Sequence, residues 1–128
     1  MFAIRLLPPT RVGLDGQRLG EIVVGDFRET FACHSDDFAG LEDNWRERLR
    51  ALVEGEPAVV LRHDLRFAWI VYREGADCYV QQRLSVDGSF ADVLPRVTTT
   101  EDGDAVSEWA TTLAAVGQFL NAEPGRCT

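Results

Sequence analysis

The sequence predicts an α+β domain, a mostly antiparallel sheet of about six or seven strands with one long and one short helix packed on it. Three observations predict it. Short apolar runs bounded by Gly, Pro and Asp recur from residue 2 to residue 33 and again from 58 to 84, which is strand punctuation. Between them, residues 38–53 repeat their apolar positions at three- and four-residue steps, the spacing of one helix face. A shorter helical pattern lies near the end of the chain. With 128 residues and no break in composition, residues 1–128 read as one domain, of which 122–128 form a fraying tail. A chain of this length buries roughly two thirds of the surface its unfolded form exposes, so it needs no metal or disulfide staple.

Phe2–Leu7 reads as the first strand, stopped by Pro8-Pro9, which cannot continue a ladder. Leu14-Asp15-Gly16-Gln17 supplies turn chemistry, and Leu19–Val24 and Phe27–Cys33 read as two strands separated near Gly25-Asp26. Alternation places Phe27, Glu29, Phe31 and Cys33 on one face, so Glu29 shares the aromatic side. Ser35 is placed to cap the long helix, with Asp36 and Asp37 opposing its positive end. Phe38, Leu41, Trp45, Leu49, Leu52 and Val53 form its apolar stripe, which runs to Gly55. Glu42 and Arg46 fall four apart on the exposed side, where they are expected to pair.

Ala58–Arg62, Phe67–Arg73 and Cys78–Leu84 read as strands, the last two joined by a five-residue turn from Arg73 to Asp77. Phe67–Arg73 is apolar on both faces, which marks a central strand. Val86-Asp87-Gly88-Ser89 is a turn, and Phe90–Leu94 is ambiguous. Val97–Thr100 and Ala105–Thr111, around Glu101-Asp102-Gly103-Asp104, predict a second hairpin. The short helix is Thr112–Asn121, capped by Thr111 or Thr112, with Leu113, Val116, Phe119 and Leu120 as its apolar residues.

All 13 basic residues are arginine, against 21 acids and a formal charge of −8. A phosphate backbone is repelled by such a balance, so nucleic acid is not expected as a ligand; the charge fits either a basic protein partner or acidity that serves solubility alone. No apolar run approaches the roughly 18 residues of a membrane span, and the N-terminus lacks the regions of a signal peptide. Cys33, Cys78 and Cys127 are odd in number and not spaced as CxxC, so three free thiols and a cytoplasmic setting are expected. Oligomeric state has no signature in the sequence.

The chain has no Walker loop, dinucleotide-binding glycine pattern, zincin helix, nucleophile elbow or calcium loop. Only His34 and His63 could serve histidine chemistry, and Cys33 and His34 point to opposite faces of a strand. No catalytic residue, metal or cofactor is assigned. Glu29 and Glu108 each lie among apolar neighbours and, if buried, need an arginine or several donors.

Two acidic clusters stand out, Asp36, Asp37, Glu42, Asp43 and Glu47, and Glu101, Asp102, Asp104 and Glu108. Cap and turn preferences account for most of them. The rest fits docking, because a field of one sign steers a basic partner. The candidate partner-binding residues are Asp36, Asp37, Asp43, Glu47, Glu101, Asp102 and Asp104. The alternative is a small enzyme or small-molecule-binding domain using carboxylates in a sheet-lined pocket, and a cavity lined by Glu29, Glu108 or His63 would favour it.

Several segments in one order resemble the immunity proteins of bacterial contact-dependent growth inhibition systems. They are Gly25-Asp26-Phe27-Arg28-Glu29-Thr30-Phe31, the helix with Trp45 and Leu49, Trp69-Ile70-Val71-Tyr72 with Gly75 and Tyr79-Val80-Gln81, and Thr100-Glu101-Asp102-Gly103 leading into Ser107-Glu108-Trp109. Together they span most of Ile22–Leu120, while Phe2–Gly20 lies outside the resemblance. The resemblance implies a cytoplasmic protein that binds the toxic C-terminal domain of a cognate effector, often a nuclease, and silences it without catalysis. It assigns no individual contact residue.

Overall fold

The computed structural model describes residues 1–11, 13, 16–84 and 95–122. Among these residues, seven strands and two helices form an α+β fold in which every strand pairing is antiparallel. The strands divide into two sheets. The first is β1 (Phe2–Leu6), β2 (Arg18–Val24) and β3 (Phe27–Cys33), in that order. Gly25, with φ 61°, opens the two-residue turn between β2 and β3, where a hairpin requires a positive φ that glycine adopts without strain. Phe2, Ile4, Ile22, Val24, Phe31 and Cys33 line the inner face. Gly20 lies on that face too, and a Cβ there would stand 2.7 Å from the Phe31 ring, so its absence lets the ring lie against the strand. Glu29 faces the same way but is exposed, because β3 is an edge strand and its carboxylate reaches solvent past the edge. It needs no buried partner.

The second sheet orders β4 (Ala58–Arg62), β5 (Phe67–Glu74), β6 (Asp77–Leu84) and β7 (Trp109–Thr112). β5 is internal, and Ala68 through Tyr72 are buried on both of its faces, as its composition requires. Its hairpin with β6 is tighter than expected: Glu74 pairs with Asp77, leaving Gly75-Ala76 as the turn, with Gly75 at φ 65°. The late hairpin shrinks to a bridge between Thr99 and Ala105 around an exposed turn, because its arms carry too few apolar side chains to bury a face. Trp109–Thr112 instead pairs with β6. The turn expected at 86–89, the ambiguous 90–94 and the tail beyond Ala122 lie outside the described residues.

α1 (Phe38–Glu54) and α2 (Leu113–Asn121) pack on this framework. The α1 cap is Asp37 rather than Ser35: the Asp37 carboxylate accepts from the Gly40 N–H at 3.0 Å, while the Ser35 hydroxyl accepts from the Asp37 N–H at 3.0 Å. Ser35 sits two residues too early. Trp45, Leu49 and Leu52 are fully buried, and Phe38 and Leu41 pack at the edge of the core. Val53 is exposed, since the helical rotation after Leu52 carries it off the stripe. α2 is capped by Thr112, whose hydroxyl accepts from the Ala115 N–H at 3.1 Å.

The expected Glu42–Arg46 pair does not form, because backbone groups left unpaired at two element ends claim both side chains. Arg46 is buried, and its Nη2 donates to the carbonyls of Phe119, Leu120 and Ala122 at 3.1, 3.0 and 2.7 Å. These end α2, where carbonyls lack helical partners and the dipole favours a cation. The Glu42 carboxylate accepts from the Leu6 N–H of β1 at 2.7 Å. α1 thus clamps both β1 and α2. Elsewhere the sheets meet through aromatic side chains: Phe27 stacks on Trp109 at 3.8 Å, and Trp69 lies 5.8 Å from Phe31. One core runs through both sheets and both helices.

Candidate docking surface

The seven acidic residues picked out by the sequence are all exposed, but they occupy two separate places. Asp36 and Asp37 lie in the connection into α1, and Asp43 and Glu47 follow one and two turns along its outward face. Asp37 is committed to the helix cap. Glu42, counted with this cluster in the sequence, turns inward to β1 and leaves it.

Glu101, Asp102 and Asp104 sit on the exposed turn enclosed by the Thr99–Ala105 bridge. The turn is ordered by its own backbone: the Thr100 N–H donates to Asp104 O at 2.8 Å, and the Asp104 N–H to the Thr100 hydroxyl at 3.1 Å. Gly103, at φ 86°, closes it. Glu108, at the foot of the same segment, is half-buried and occupied. Arg96 donates to both its oxygens at 2.8 and 2.7 Å, and the buried Gln81 amide donates to one at 2.7 Å. These donors, Arg96 first, hold the Glu108 carboxyl below the ordinary carboxylate value. The arginine that the sequence required for Glu108 is therefore present, and its role is structural. Arg96 also lies 3.9 Å over the Tyr79 ring, and Arg83 donates to Pro95 O, so the segment is fixed to the outer face of β6. Nothing in the sequence tied Arg96 to Glu108, because a separation of twelve residues has no helical or strand period to flag it.

Among the described residues, the histidines and cysteines offer no nucleophile–base pair. Cys33 is buried and burial pushes its thiol up to about 12, so the nucleophilic thiolate does not form near neutrality, while His34 faces solvent. Cys78 is likewise buried, its thiol pushed up to about 11. Both are free thiols, and Cys127 lies outside the described residues. An open cleft of about 450 Å³ is lined by Pro9, Gly16, Gln17, Arg18, Cys33, His34, Ser35 and Phe38. Glu29, Glu108 and His63 are not among its walls, so it gives the small-molecule alternative none of the residues on which that reading depended. Arg18 spans it, with its Nε donating to Leu7 O at 3.0 Å and its guanidinium 5.2 Å from the Phe38 ring. Among the described residues, no three His, Cys, Asp or Glu side chains converge as metal ligands, and no helix is long and apolar enough to cross a membrane.

No protein-family model and no curated protein sequence matches the chain. Among solved structures, a chain of the CdiA-CT/CdiI toxin and immunity complex from Enterobacter cloacae matches with a TM-score of 0.76 and 23% identity, over 94% of this chain and 96% of that one. The resemblance read in the sequence segments is therefore met by a likeness of fold to one member of a toxin and immunity pair.

Proposed function

We propose that the protein is an immunity protein: one domain that binds the C-terminal domain of a cognate toxin in the cytoplasm and neutralises it by occupation, without chemistry of its own. The observation that carries this reading is the shared fold with a chain of a toxin and immunity complex. Charge supports the immunity side of the pair. A nuclease must approach phosphate, which a chain at −8 repels, whereas such a chain complements the basic surface that a nuclease offers its substrate. The toxin is accordingly a basic nuclease, and neither nucleic acid, membrane nor cofactor takes part. Asp36, Asp43 and Glu47 form one acidic approach and Glu101, Asp102 and Asp104 another, with Asp37 contributing charge while it caps α1.

The test is co-expression with the cognate toxin domain. Growth should be restored, and a one-to-one complex should survive size-exclusion chromatography. Continued toxicity with no complex would overturn the reading.

A further inference from the structure

His63, the residue after β4, touches both sheets. Its Nδ1 lies 3.0 Å from Ala32 O on β3, and its Nε2 lies 3.1 Å from the Gln82 amide nitrogen on β6. A carbonyl oxygen can only accept, so Nδ1 carries the proton. The Nε2 lone pair then accepts from the Gln82 amide. The neutral ring is therefore satisfied at both nitrogens. It is 4% exposed, with its centroid 4.6 Å from that of Phe31 and 6.0 Å from that of Trp69. Its backbone carbonyl accepts from the His34 N–H at 2.8 Å, so the end of β3 is tied to this residue twice.

A second proton upsets this arrangement. Protonated Nε2 would point a donor at the Gln82 N–H groups, and the charge would sit between Phe31 and Trp69 with little access to water. Among the described residues, Asp64 is the charged group that acts on the ring. Asp64 follows it in the chain and favours the charged form, but its carboxylate accepts from the Leu65 N–H at 2.6 Å. Arg62 precedes it, Cys33 ends β3 and His34 follows. β5 and β6 face it with Trp69 and Gln82, and α1 reaches the neighbouring Arg62 carbonyl with the Trp45 indole.

We propose that His63 is a proton-operated clasp between the two sheets: neutral, it holds the end of β3 against β4 and β6, and protonated, it releases that end. The released segment leads directly into His34, Asp36 and Asp37. The clasp does not depend on the toxin-binding reading, and it can fail or hold independently of it. Burial keeps the imidazole below its ordinary value of 6.5, so the unfolded or released chain takes up the proton first. The clasp's stabilisation is therefore complete above pH 6.5 and is lost as the pH falls from there through the folded His63 value.

NMR of the full chain tests this. Long-range proton–nitrogen correlations at pH 7.5 should show the Nδ1–H tautomer. Amide exchange, divided by its intrinsic rate, should show protection of the His34 N–H falling severalfold between pH 7.5 and pH 5, because the released chain takes up the proton more readily than the clasped one. Protection of Ile70 and Val71 in β5 should hold. His63→Asn keeps a donor for Ala32 O but does not titrate, so protection at His34 should become independent of pH. Gln82→Glu offers the charged ring an acceptor and should move the loss to lower pH. An Nε2–H tautomer, protection at His34 independent of pH in the wild type, simultaneous loss in β5, or an unshifted loss in Gln82→Glu would overturn the clasp.

Discussion

Arg46 and Glu42 stand four apart on α1, and each serves the backbone of another element. Arg46 closes the carbonyl end of α2, and its guanidinium also lies 4.6 Å from the Phe119 ring, so removing it leaves several carbonyls without their donor. Hydrogen bonds to a charged group contribute about 1.5–3 kcal/mol, and these three share one nitrogen and so do not add in full. Arg46→Ala should lower unfolding free energy by about 2–4 kcal/mol in urea titration. Glu42→Gln retains an oxygen to accept from the Leu6 N–H and should cost less than about 1 kcal/mol. Equal losses in the two variants would mean that the helix-end contacts contribute little.

At the scale of elements, the α1 stripe and the close approach of Gly20 decide how tightly the core closes. Leu49 is fully buried, so Leu49→Ala should cost about 2–5 kcal/mol. Gly20→Ala acts in the opposite sense, pressing a methyl group toward the Phe31 ring, and should cost about 1–3 kcal/mol through overpacking. Thermal melts of both variants check this, and a Gly20→Ala protein as stable as wild type would show that the ring moves freely. The first six strands and the two helices were legible because burial leaves a period in the sequence: Phe27, Phe31 and Cys33 alternate, and Trp45, Leu49 and Leu52 recur by turns. The inward turn of Arg46, the exposure of Glu29 and the partners of His63 were not legible. Each depends on which distant backbone or side-chain group ends up opposite, and that is a property of tertiary packing with no local pattern. The acidic candidates were legible only as exposed charge, and their division between α1 and the late turn required coordinates.

For the whole molecule, the net charge of −8 governs approach to a partner more than it governs the fold. If both acidic sites steer a basic toxin domain, association should slow as salt rises from 0.15 M, where the Debye length is about 8 Å, to 1 M, where it is about 3 Å. Reversing Asp43 and Glu47 to lysine, or Glu101 and Asp102, should slow association severalfold at low salt. Asp37 is left intact in these variants because its replacement would also remove the α1 cap. Reversing Glu54 and Glu56, at the opposite end of α1, should matter less. Stopped-flow rates independent of salt, with both cluster reversals as fast as wild type, would refute acidic steering while leaving toxin neutralisation open to its own test.

The strand order has a further consequence, for the way the chain folds during synthesis. Within each sheet the neighbours are successive strands, β1-β2-β3 and β4-β5-β6-β7, so the ladders close over short stretches of chain except where β7 returns to β6. Such local pairing favours rapid folding. The first sheet is spelled out by residue 33, yet Phe31 gains its ring contacts only as Trp45 and then Trp69 leave the ribosome. An emerging chain therefore carries an incompletely covered apolar face for about 35 residues, which at 5–20 residues per second is roughly two to seven seconds. During that interval the nascent protein is most open to capture by a chaperone.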